Sequence, residues 1–114
     1  MIYLRYRMKL SARARQNTKA FWEWLEKRER WFYRDLPMVK EVRWFYSVVG
    51  DVYVLENVAA FEDEAAFGEY RAALANLRAD EGWESERVTQ EDWWEFLDTK
   101  LLADPPVKVG FRRD

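Results

Sequence analysis

Tyr3, Arg5, Arg7 and Lys9 take alternate positions in the opening stretch "MIYLRYRMKL", and Ile2, Leu4, Tyr6, Met8 and Leu10 take the others. Side chains of a strand alternate between its two faces, so the spacing predicts a strand with one cationic and one apolar face. Guanidinium forks match planar oxyanions, and rings supply flat contacts. Such a row therefore suits a small aromatic carboxylate or phenolate. It suits structural ion pairs with carboxylates equally well, a common origin of charge clusters. The residue types that are missing narrow the chemistry. The chain has no histidine and no cysteine. No disulfide or thiolate metal site can form, and the usual metal ligand is lacking, so the reading has no metal site and no cofactor. Acid–base chemistry would need a shifted carboxylate, lysine or tyrosine, which lowers the expectation of an enzyme without removing it. The carboxylates of "FEDEAAF" and "TQEDWWEF" fall at expected helix starts and read as caps. There is no glycine-rich phosphate loop and no nucleophile motif.

A chain of 114 residues is expected to form one domain, 1–114, with a core that needs no staples. Its 19 basic and 21 acidic residues are well mixed and leave a net charge of −2. That balance lacks the basic excess of a nucleic-acid binder. The opening stretch has arginines inside its apolar run, unlike a signal peptide, and no run approaches the roughly 18 apolar residues of a membrane span. The expectation is a soluble cytoplasmic protein with neither nucleic-acid nor membrane partners. Seven tryptophans are more than a small core needs. Some are expected to line a subunit interface or a ligand cavity.

These residues must be positioned by regular elements. After a cap at Ser11 the pattern is helical to about Tyr33, with Ala14, Phe21, Leu25 and Phe32 as its stripe and tryptophans widening it. The apolar arc exceeds the 100° or so that one contact needs, so this helix should touch more than a sheet. Pro37 stops it. "KEVRWFYSVVGDVYVLENVAAF" reads as a hairpin turning at Gly50-Asp51. That register sets Phe45 opposite Glu56 and Arg43 opposite Val58 on a mixed face. The other face carries Val42, Trp44, Tyr46 and Val48 with Tyr53, Leu55, Asn57, Ala59 and Phe61, and should pack on helices. A helix capped by Asp63 follows, broken at Gly82. A short helix from Thr89 is expected to carry Trp93, Phe96, Leu97 and Leu101 up to "DPP". "VKVGFRR" then reads as a last edge strand.

That order predicts a ferredoxin-like α+β domain: a four-stranded antiparallel sheet with helices on one face and the other face uncovered. The first strand, the "EVRWFYSVVGDVYVLENVAAFEDEAAFGEYRAAL" block and Trp83 in "ADEGW" resemble NIPSNAP-like members of the dimeric α/β-barrel superfamily over nearly the whole chain. The resemblance implies a homodimer in which two sheets face each other as a dimeric α/β barrel. It implies that Tyr3, Arg5, Arg7, Arg43, Phe45 and Glu56 line the lumen and form the ligand-binding set, with Glu41 as a second carboxylate. Any activity would be cofactor-independent, monooxygenase-like or isomerase-like. Branches of the superfamily that depend on a histidine do not carry over. The implied function is binding or oxidising a small aromatic or anionic molecule in the barrel cavity without metal or haem. The alternative is a structural or interaction module. A minor alternative is an RRM-like nucleic-acid binder, although "DVYVLENV" lacks that motif's glycine and paired aromatics.

Overall fold

The nine residues of β1 (Ile2–Leu10) bury one row and leave the other part-exposed, as their alternation requires. The computed structural model describes residues 1–114. After β1 come α1 (Ala12–Gln16), α2 (Thr18–Phe32), β2 (Glu41–Tyr46), β3 (Val54–Phe61), α3 (Glu64–Arg78), α4 (Glu81–Arg87), a 3-10 turn (Val88–Asp92) and β4 (Trp94–Ala103). The sheet order is β2-β3-β1-β4 with every neighbouring pair antiparallel. This is the ferredoxin-like α+β arrangement, with β1 and β3 central.

The hairpin register is the expected one: Arg43 faces Val58 and Phe45 faces Glu56. The strands stop short of Gly50-Asp51, however. A loop over 47–53 replaces a two-residue turn, held by the Ser47 N–H donating to the Val54 carbonyl. The long first helix is two helices. Asn17 leaves helical geometry, and its side chain caps α2 by accepting from the Ala20 N–H. Gly82 does not break α3. That helix ends at Arg78, and Asp80 caps α4, whose first turn contains Gly82.

The largest departure lies in the last quarter of the chain. Residues 94–103 are a strand, not a helix, and 104–114 have no regular structure. The reason is a bulge. β4 pairs with β1 as Met8–Phe96 and Arg7–Asp98, so Leu97 is an extra residue on β4. The extra residue interrupts the alternation, and Trp93, Phe96, Leu97 and Leu101 then mimic helical spacing. With β4 on one edge of β1 and β3 on the other, "VKVGFRR" finds no central edge, and Pro105 and Pro106 remove two backbone donors.

Two clusters form the core on the helix side of the sheet. One gathers Leu4, Phe32, Leu36, Phe61 and Trp83. The other gathers Met8, Phe21, Leu25, Leu55, Trp93 and Trp94. Burying each such side chain contributes about 1.5–3 kcal/mol. One side of the wide arc of α2 is met within the chain: Trp24 stacks on Trp93 at 5.5 Å, and Trp31 meets Trp83 edge-on at 5.9 Å, while Trp22 on the other side stays exposed.

Candidate functional site

Between the two clusters runs a polar seam. It lies midway along three elements: Tyr6 between Leu4 and Met8 on β1, Asn57 between Leu55 and Ala59 on β3, and Arg28 between Leu25 and Phe32 on α2. Arg28 and Asn57 are only 6% and 4% exposed. Burying a guanidinium is costly unless it is paired and hydrogen-bonded. Arg28 Nε donates to Gln90 Oε1 at 2.8 Å, and Nη1 reaches Glu29 Oε1 at 3.2 Å and Tyr33 Oη at 3.3 Å. Its guanidinium lies 3.8 Å from the centre of the Phe32 ring and within 5.8 Å of the Tyr33, Trp44 and Trp94 rings. Cation–π contacts of this kind are worth about 2 kcal/mol when desolvated.

The seam borders a cavity of about 150 Å³ between the sheet and the helices. Arg28, Asn57, Tyr6, Tyr33, Trp44 and Phe96 are among its walls, with Tyr70, Trp94 and Leu74. Arg28 Nη2 has no protein partner. The Asn57 amide makes one long contact, 3.5 Å, to Tyr33 Oη, and its other end is unbonded. One donor and one amide group thus reach the surface of a ring-lined space without a protein partner. The buried polar atoms left without any partner are Trp94 Nε1 on the cavity wall, Trp83 Nε1 and Arg5 Nε. Burial raises the phenols of Tyr6, Tyr33 and Tyr70 above the ordinary value, so all three stay protonated around neutrality. Glu29 is raised as well. Loss of solvent is the main cause, partly opposed by Arg28 and by the Trp44 Nε1–H bond at 2.7 Å.

The six residues expected to bind ligand share the opposite, uncovered face of the sheet. Most of their polar groups are already engaged there. Arg5 bonds Glu56 at 3.0 Å and Asp98 at 2.7 Å, and Arg7 bonds Asp98 at 2.8 Å. Lys9 pairs with Asp51 at 2.9 Å, and Tyr3 donates to Asp104 at 3.0 Å. Arg43 lies over the Phe45 ring at 5.0 Å, without a carboxylate. Glu41, expected as a second carboxylate, pairs with none of them; its place is taken by Asp98 of β4, the strand that the helical spacing concealed. No group of three or more acidic side chains is placed to hold a metal ion. No helix is long and apolar enough to cross a membrane.

Sequence reading overlooked the seam, yet the signal was there. Phe21, Leu25, Arg28 and Phe32 fall at helical spacing, so the arginine stands in the apolar stripe of α2. Asn57 interrupts the apolar row of β3 in the same way. Gln90 carries no such signal, since it enters through a 3-10 turn.

No family model matches the sequence, and no curated protein does. Solved structures do. The NIPSNAP family protein Atu4242 of Agrobacterium tumefaciens superposes with a TM-score of 0.67 at 21% identity, over 93% of this chain and 95% of that one. A NIPSNAP domain protein from Burkholderia xenovorans gives 0.67 at 14% identity, over 96% and 100%. SnoaB from Streptomyces nogalater, described as a cofactor-independent oxygenase, gives 0.64 at 15% identity, over 93% and 94%. The chain thus has the fold of the NIPSNAP-domain proteins and of SnoaB.

Proposed function

We propose that this protein binds a small ring compound bearing a hydroxyl or carbonyl oxygen in the cavity between sheet and helices, as a homodimer joined through the uncovered sheet face. The observation that carries the reading is Arg28: a buried cation surrounded by rings, with Nη2 unbonded at the wall of an enclosed space. A cavity of about 150 Å³ accommodates a single aromatic ring. Arg28 and the protonated phenols favour an oxygen acceptor, and the guanidinium favours its anionic form, a phenolate or enolate. Electron-rich anions of that kind can react with dioxygen without a metal. The fold shared with SnoaB supports extending the reading to such chemistry. On the open face Arg5 and Arg7 act as structural ion pairs, and Arg43 lies over the Phe45 ring. This reading places ligand binding in the cavity rather than among Tyr3, Arg5, Arg7, Arg43, Phe45 and Glu56.

The test is titration with one- and two-ring phenols and aryl ketones, read by tryptophan emission, since Trp44 and Trp94 line the cavity. Oxygen uptake is recorded alongside. Saturable binding is expected, weakened at least ~10-fold by Arg28→Met, which is about 1.4 kcal/mol. Leu74→Trp fills the space without touching the arginine network and should abolish binding. Absence of saturation with every compound would leave the protein as an interaction module.

A further inference from the structure

The enclosed cavity is continued by a second hollow of about 310 Å³ between α3 and β4, sharing Tyr6, Tyr70 and Arg78 with it. The charge of this vestibule is one-sided. Arg71 and Arg78 line it and no carboxylate does. The two arginines are seven residues apart on α3, two turns and about 10.5 Å along one helix face. Arg71 is close enough to Tyr6 for its charge to act on that phenol, and it has no ion-pair partner. Arg78 has only a 3.6 Å contact to Glu84, whose carboxylate is held at both oxygens by Arg87. Glu91 and Glu95 line a further hollow that meets the vestibule at Arg78 and also holds Arg87 and Trp94, but neither comes within ion-pair distance of Arg78. Thr99 adds a hydroxyl to the vestibule wall. Two guanidinium groups without a full counter-charge, at the outlet of a ring-lined cavity, form a receptor for a planar anion.

We infer that the ligand is an amphiphilic aryl acid, with its ring in the cavity and a carboxylate on a short tail held in the vestibule between Arg71 and Arg78. This rests on the reading that the cavity holds a ring, and adds the substrate class. The ring takes the more enclosed of the two hollows, between sheet and helices. The tail stays at the mouth, where the arginines remain partly hydrated and selection is by charge.

The experiment compares 3-(4-hydroxyphenyl)propanoate with its carboxamide by calorimetry, at low salt and at high salt. The acid should bind about 10-fold tighter or more at low salt, and the preference should shrink as salt screens it. Arg71→Gln/Arg78→Gln should abolish the preference, so that acid and amide bind alike at either salt concentration. Arg30→Gln/Arg34→Gln, on exposed positions of α2 and the loop after it, makes the same change of charge and should leave the preference intact. Equal binding of acid and amide overturns this inference alone. A preference that survives Arg71→Gln/Arg78→Gln also overturns it, placing the carboxylate elsewhere. Failure of both compounds to bind overturns the cavity reading, and this inference with it.

Discussion

Arg28 and Glu29 are adjacent in sequence but differ in surroundings. Arg28 is enclosed by rings and Gln90, whereas Glu29 keeps 28% of its side chain exposed and accepts from both Arg28 and Trp44. Desolvation dominates at Glu29, so its folded pKa is raised above the ordinary 4.5. A raised carboxyl favours the folded state below its unfolded pKa, and that advantage is lost as pH rises through the folded value. Glu29→Gln keeps an acceptor for Trp44 and removes the titration. The stability of the variant relative to wild type should therefore improve as pH rises above the ordinary carboxylate range, measured by urea unfolding at each pH. Deterioration over that rise would mean that attraction to Arg28 outweighs desolvation. Glu84, Asp51 and Asp104 have the opposite sign. Hydrogen bonds from Arg87, Lys9 and Tyr3 hold their pKa values down, so their contributions fade as the solution is acidified.

β4 shows how one residue changes the reading of an element. Leu97 is the unpaired residue of the bulge, and the registers on its two sides differ by one. Deleting Leu97 joins them into a continuous ladder in which Phe96 still faces Met8 and Asp98 still faces Arg7. The deletion should cost far less than losing an ion-pair partner, because Leu97 is unpaired in the ladder and exposed. Deleting Thr99 instead would close the ladder by turning Asp98 to the helix face. That strands a carboxylate against Tyr6 and removes the partner of Arg5 and Arg7, so it should cost several kcal/mol, about 3–5. Thermal unfolding of the two deletions checks this; equal losses would contradict the paired register.

For the whole molecule, the uncovered sheet face carries Tyr3, Val54, Val58, Phe45 and Leu102 among its ion pairs. Light scattering should give about twice the 13.9 kDa chain mass. In an isolated chain Glu56 and Asp98 are 37% and 40% exposed, so water can solvate them when Arg5 is lost. Arg5→Met would then cost about 1 kcal/mol or less. Under a facing sheet the carboxylates lose that water, and the cost should rise to about 3–5 kcal/mol. Urea unfolding should give the larger value, with a midpoint that rises with protein concentration. A monomer mass with a small loss would remove the homodimer.

Some features were determined by local rules. Alternation set the two faces of β1, the β2–β3 register followed from the hairpin, and Asp63 marked the start of α3, because strand period and capping act between near neighbours in sequence. Element order then led to the ferredoxin-like sheet. What only tertiary structure decided depends on partners far apart in the chain. β4 is a strand because β1 has an edge to pair, and that pairing overrides a spacing that mimics a helix. The cationic row is met by Glu56, Asp51 and Asp98, the last more than ninety positions from Arg5 and Arg7. The cavity is walled where Arg28 and Asn57, each a break in an apolar pattern, meet Tyr6 of β1 at one level of the core. A sequence shows each break separately. Only packing brings the three together, and only packing supplies Gln90 to make a buried guanidinium tolerable there.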